Sequence, residues 1–149
     1  MSHQTVIVLD FGGQYNQLIA RRVREAGVYS ELLPHTAPIE QIKGESLSGL
    51  ILTGGPDSVY AEGAKACDDR IFSLGVPVLG ICYGMQYIAK AFGGRIEAAP
   101  VREYGRTPIR MTEHPLLKGL DSGIVWMNHN DSVFGICLLY TSDAADDSL

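Results

Sequence analysis

The sequence contains neither a long hydrophobic run nor a concentration of positive charge. None of its 149 residues belongs to an apolar stretch near the roughly 20 residues that a membrane-spanning helix needs, and its start lacks the features of a secretory signal. Lysine and arginine number 12 against 17 aspartates and glutamates, a net charge of −5. Because duplex binding needs a concentrated basic surface, we predict no nucleic-acid partner, no membrane partner and a cytoplasmic location.

Cysteine is also scarce, with only Cys67, Cys82 and Cys137. An odd number without C-x-x-C spacing argues against a disulfide framework and against a structural zinc site, so no metal is predicted. Hydrophobic residues make up 46% and charged residues 19%, the composition of a soluble globular domain with one core.

Apolar segments alternate with amphipathic segments along the first part of the chain. The strand-like segments are 6–9, 28–33, 50–52 and 76–81, and the helix-like segments are 15–26, 64–74 and one that begins after 82. Strands that are apolar on both faces and alternate with helices are typical of a parallel sheet. We predict a doubly wound α/β fold with helices on both faces, followed by weaker strands at 95–98, 107–111 and 124–127.

Cys82 occupies the centre of a Gly-x-Cys-x-Gly pattern between the fourth strand and a helix. Such a sharp turn forces its central residue into a strained conformation, and glycines at 80 and 84 would avoid the resulting clashes. The start of a helix is expected to lower the pKa of the thiol, which favours a nucleophilic thiolate. The alternative is that Cys82 is a small buried hydrophobe at a tight turn.

The segment Thr53-Gly-Gly-Pro56 ends the neighbouring strand. Its backbone N–H groups could approach an oxyanion together with the N–H of Tyr83. By itself the pattern indicates only a turn, and its weight comes from its position relative to Cys82.

Five motifs occur in the order found in one enzyme family. They are Asp10-Phe-Gly-Gly-Gln-Tyr, Thr53-Gly-Gly-Pro-Asp-Ser-Val-Tyr60, Gly80-Ile-Cys-Tyr-Gly-Met-Gln86, Arg102-Glu-Tyr-Gly105 and Trp126-Met-Asn-His-Asn-Asp131. Residues 1–134 thereby resemble class I glutamine amidotransferases, and within them most the amidotransferase domain of the GMP synthase family. The resemblance implies a flavodoxin-like fold that is incomplete at its C-terminal end.

The resemblance implies a role for each matching residue. Cys82 would attack the side-chain amide of glutamine, and the backbones of Gly55 and Tyr83 would form the oxyanion hole. The substrate-binding residues would be Gln86, Asn128 and His129. This domain would need no cofactor, and its ammonia would pass to a separate synthetase domain that uses ATP and Mg to aminate XMP to GMP.

One family element does not occur in the sequence. The family's general base belongs to a late His-Pro-Glu segment, whereas here His114-Pro115 is followed by Leu116 and lies too early in the order of motifs. We therefore expect the chain to have little glutaminase activity on its own. Residues 135–149 resemble no expected continuation, and we predict a non-native or disordered tail.

Two other functions remain open from the residues alone. One is a stand-alone cysteine hydrolase on the same scaffold, for which the turn at Cys82 would suffice. The other is a non-catalytic binding domain in which Asp10-Phe-Gly-Gly13 caps a helix over a phosphate. Labelling of Cys82 by a glutamine analogue, unaffected by nucleotide, would distinguish the three.

Overall fold

The computed structural model describes residues 3–111 and 113–134, and the chain divides into two compact units, Met1–Ala91 and Phe92–Leu149. The predicted tail at 135–149 lies outside the described residues, so the division at residue 134 stays a prediction. Within the described ranges, no helix has the length and apolar character needed to cross a bilayer.

The first unit is built on a parallel sheet. Its elements in chain order are β1 (Thr5–Asp10), α1 (Asn16–Glu25), β2 (Tyr29–Pro34), α2 (Ile39–Ile42), β3 (Leu47–Leu52), a 3₁₀ turn (Asp69–Ser73), β4 (Val78–Gly80) and α3 (Tyr83–Ala91). The four strands pair in the order β2-β1-β3-β4, all parallel. The predicted parallel α/β fold is confirmed.

Apolar residues of the two central strands form the core of this unit. Val8 and Leu9 of β1 and Leu50 and Leu52 of β3 are almost fully buried. Because both central strands are covered on both sides, their carboxyl ends are fixed next to each other. Those ends carry the loops after Asp10 and after Leu52.

The predicted helix over 64–74 is wrong, because only the 3₁₀ turn at Asp69–Ser73 is helical there. Tyrosine hydroxyls of α3 take two carbonyls of this segment: Tyr83 donates to Lys65 O at 2.5 Å and Tyr87 donates to Cys67 O at 3.1 Å. A helix would need those carbonyls for its own N–H groups.

The second unit contains an antiparallel two-stranded ribbon. Strand β5 (Arg95–Ile109) pairs with β6 (Gly123–Phe134), and a 3₁₀ turn at Pro115–Leu117 lies between them. The strands predicted at 95–98 and 107–111 are thus parts of one long strand, whose pairing is irregular between Ala98 and Glu103. The side chain of His114 accepts a hydrogen bond from the Leu116 N–H at 3.1 Å and caps the turn.

Candidate active site

Cys82 lies between the end of β4 and the start of α3 in a strained backbone conformation. Its φ is 51°, and no other non-glycine residue in the described ranges has a positive φ. Such a conformation costs about 1–3 kcal/mol and persists only where the surroundings impose it. The strained turn predicted from the Gly-x-Cys-x-Gly spacing is present.

The two glycines of the pattern allow this turn to sit against its neighbours. A methyl group at Gly80 would lie 2.6 Å from the backbone nitrogen of Met85, and one at Gly84 would overlap the carbonyl of Leu52. Since real carbon atoms do not approach so closely, only glycine fits either position. The start of α3 is therefore packed directly on the end of β3.

The Thr53–Gly55 segment lies directly beside Cys82. A side chain at Gly54 would begin 3.5 Å from the Cβ of Cys82, and one at Gly55 would clash with the Phe11 carbonyl at 2.5 Å. The carbonyl of Thr53 accepts a hydrogen bond from the Gly84 N–H at 3.0 Å, which ties this segment to the start of α3. The sheet thus places the two loops that the oxyanion prediction requires next to each other.

Tyr83 is the first residue of α3, so no carbonyl one turn earlier within the helix accepts its N–H. Its side chain is buried and donates to Lys65 O, and burial raises the pKa of the phenol. The backbone of Tyr83 is thus held beside Cys82 at both ends of the residue. The oxyanion roles of Gly55 and Tyr83 stay predictions.

Gln86 follows Cys82 by one helical turn. Its backbone N–H donates to the Cys82 carbonyl at 3.0 Å, and the residue is only 9% exposed. A buried glutamine immediately below the candidate nucleophile is compatible with the predicted substrate contact, which no observation tests.

Asn128 and His129 belong to the second unit. In the ribbon, Asn128 pairs with Tyr104 and His129 pairs with Glu103. Asn128 is exposed, as is Trp126 two residues earlier. Their predicted role in substrate binding stays a prediction.

Sequence reasoning missed an aromatic cluster behind the candidate site. The ring of Phe11 lies 5.4 Å from those of His35 and Tyr83 and 5.8 Å from that of Tyr87. Tyr87 also donates a hydrogen bond to the carboxylate of Asp69. The signal available in the sequence was the pair of tyrosines at i and i+4 on α3, which places both rings on one side of the helix.

The start of α1 does not resemble an anion site. The Asp10 carboxylate accepts hydrogen bonds from the Gly12 N–H at 2.7 Å and from the Asn16 side chain. This negative charge therefore occupies the position that a phosphate would need, and like charges at such short range repel. The observation disfavours the phosphate-binding alternative. In the described ranges, no group of three or more potential ligands could hold a metal ion.

The expected low pKa of the Cys82 thiol is wrong. Partial burial raises its pKa, even though the residue is exposed on one side. Burial raises the pKa of Cys67 further, to about 11 from its usual 9.0. The cost of desolvating a thiolate is therefore larger here than the stabilisation expected from the start of α3.

We expect Cys82 to react faster than Cys67 with iodoacetamide at pH 8. Cys82 is the more exposed, and a thiol with a pKa of about 11 is almost entirely protonated at that pH. Since ionisation of Cys67 is easier in the unfolded chain, stability should also fall as the pH rises from 9 to 11. Peptide mapping after timed alkylation measures the order, and urea should abolish it. Equal rates in the native protein would contradict the described burial.

Comparison with known proteins gives a consistent result. The sequence profile of the family Glutamine amidotransferase class-I matches residues 7–139. Proteins named GMP synthase (glutamine-hydrolyzing) from Bacillus cereus and Bacillus mycoides are each 53% identical over 148 residues, which is 98% of this chain and 29% of each relative. The chain therefore spans less than a third of the length of these relatives.

Solved structures agree with these sequence matches. A protein from Thermoplasma acidophilum assigned to the subunits of GMP synthase is 32% identical, with a TM-score of 0.80 over 91% of this chain and 69% of that one. A glutamine amido transferase from Methylobacillus flagellatus, 20% identical, shares the fold with a TM-score of 0.58 over 92% of this chain and 58% of that one. The resemblance inferred from the motifs is thus confirmed, and this chain belongs to the class-I glutamine amidotransferase family.

Proposed function

We propose that this chain carries the glutamine-hydrolysing site of a GMP synthase. The observation that supports the proposal most directly is the strained Cys82, held beside Thr53–Gly55 by the contact between Gly84 and β3. This arrangement presents a nucleophile and two candidate oxyanion donors at one sheet edge.

The proposed chemistry is acyl transfer to sulfur. The Cys82 thiolate attacks the side-chain carbonyl carbon of glutamine, a C–S bond forms, and the carbonyl π pair moves onto oxygen. The N–H groups of Gly55 and Tyr83 bind that oxygen. Collapse of the adduct breaks the C–N bond, the nitrogen takes up a proton and leaves as ammonia, and water hydrolyses the γ-glutamyl thioester to glutamate. Gln86, Asn128 and His129 are proposed to hold the substrate.

The ammonia would be used outside this chain. By analogy with the relatives, we infer a synthetase partner domain that consumes ATP, with Mg, to aminate XMP to GMP. The glutamine-hydrolysing step itself needs nucleophile, oxyanion donors and a proton carrier, so no cofactor is proposed for this chain. Neither a nucleic acid nor a membrane has a place in this chemistry.

The chain alone is proposed to be a poor glutaminase. It contains no His-Pro-Glu sequence, the element expected to supply the family's general base. Burial also raises the pKa of Cys82, so the thiol needs a base to form the thiolate at neutral pH. Binding of glutamine can thus be tested separately from its hydrolysis.

We expect a glutamine analogue with a chloromethyl ketone in place of its amide to alkylate Cys82, because the analogue carries its own leaving group and needs no base for that step. Mass spectrometry locates the label. Excess L-glutamine should protect the thiol, whereas XMP and D-glutamine should not, and Cys82→Ala should remove the label. Labelling that L-glutamine does not slow would instead favour the stand-alone hydrolase.

A further inference from the structure

Thr53 joins every segment that meets at the candidate oxyanion hole. It is fully buried, at 0% exposure, and it uses all its polar groups. Its N–H donates to Leu9 O at 3.2 Å, its carbonyl accepts from Gly84 N at 3.0 Å, and its hydroxyl oxygen accepts from Phe11 N at 3.0 Å. The hydroxyl also donates to the Gly54 carbonyl at 3.1 Å.

The last of these bonds fixes the orientation of one peptide group. The Gly54 carbonyl points towards the loop after β1, since a methyl group at Gly13 would lie 2.6 Å from its oxygen. The peptide bond between Gly54 and Gly55 is trans, so the Gly55 N–H points away from that loop. Two successive glycines would otherwise permit this peptide to rotate at little steric cost.

We propose that Thr53 is a positioning residue for the oxyanion hole: its hydroxyl holds the Gly54 carbonyl, and thereby directs the Gly55 N–H to the oxygen of the tetrahedral adduct on Cys82. The inference rests on the proposed function, since it takes Gly55 as an oxyanion donor. Rotation of the same peptide would present a carbonyl oxygen in place of the N–H, which repels an oxyanion.

A simple aldehyde isolates this effect from glutamine binding. The Cys82 sulfur adds to the carbonyl carbon of propionaldehyde, a C–S bond forms, and the π pair moves to the oxygen, which retains the thiol's proton or is held as an oxyanion. Iodoacetamide instead displaces iodide from carbon and develops no oxyanion. Protection of Cys82 from iodoacetamide by increasing aldehyde therefore gives the affinity for the adduct, and the unprotected rate reports the thiol itself.

The variants separate the hydroxyl from the shape of the side chain. Thr53→Val keeps the shape and should weaken the aldehyde adduct about tenfold or more, since displacing an oxyanion donor loses much of its effect. Thr53→Ser keeps the hydroxyl and should restore the affinity. Ser30→Ala, which removes another buried hydroxyl that donates to Ala20 O at 2.6 Å, controls for stability. The alkylation rate without aldehyde should be unchanged in all three.

Each outcome decides the inference. It is overturned if Thr53→Val binds the aldehyde as the parent does, if Ser30→Ala weakens the adduct equally, or if the parent binds aldehyde no better than the urea-unfolded chain. Should Thr53→Val not fold, Thr53→Ala takes its place with the same criteria, because it lacks the methyl groups that could press on the Gly54 carbonyl. If L-glutamine fails to protect Cys82 while the aldehyde pattern holds, the glutamine proposal fails and the role of Thr53 is supported.

Discussion

Gly84→Ala should lower the free energy of unfolding by about 3 kcal/mol or more, because the added methyl has no space. It would overlap the carbonyl of Leu52 and lie 2.7 Å from the Leu52 Cβ. Neither atom belongs to a flexible end of a side chain, so α3 must move away from β3. That movement would also break the bond between the Gly84 N–H and the Thr53 carbonyl.

Thermal unfolding followed by circular dichroism measures the effect. At roughly 4 °C per kcal/mol for a chain of this size, the midpoint should fall by about 12 °C. Gly44→Ala is the matched control, since a methyl group there meets no atom within 4 Å and the backbone φ is not positive. A midpoint for Gly84→Ala close to that of Gly44→Ala would mean that α3 does not pack on β3 as described.

The sequence was sufficient for the sheet and for the turn at Cys82 because both depend on local patterns. Continuous apolar runs predict the buried central strands, and the glycines at 80 and 84 follow from the steric demands of a strained residue between them. The order of the strands and the approach of the Thr53–Gly55 segment then follow from parallel pairing.

The failures have non-local causes. Residues 64–74 have helical periodicity, but the hydroxyls of Tyr83 and Tyr87, distant along the chain, take the carbonyls that a helix would use. The pKa of Cys82 was predicted from its place at a helix start alone, whereas burial by neighbouring segments raises it. Three hydrogen bonds of Thr53 also reach residues far from it in the sequence, so no local pattern could reveal them.

A second large effect concerns the leaving group. We expect this chain to release ammonia from glutamine at least about a thousandfold more slowly than a complete amidotransferase, because loss of a catalytic base typically removes several orders of magnitude in rate. Amide nitrogen leaves only after it gains a proton, and the chain lacks the His-Pro-Glu element expected to deliver it. The oxyanion donors can stabilise the adduct but cannot protonate the nitrogen.

An activated substrate should bypass this defect. The γ-(4-nitrophenyl) ester of L-glutamate loses nitrophenolate, which needs no proton to leave, so the ester should acylate Cys82 while the amide does not react measurably. Release of nitrophenolate and of ammonia from the two substrates gives the comparison, and Cys82→Ala should abolish acylation by the ester. The thiolate is still required, so acylation should accelerate as the pH rises towards the raised pKa of Cys82. Rapid ammonia release that depends on Cys82 would contradict the prediction and place a base among these 149 residues, with His129 the first to replace.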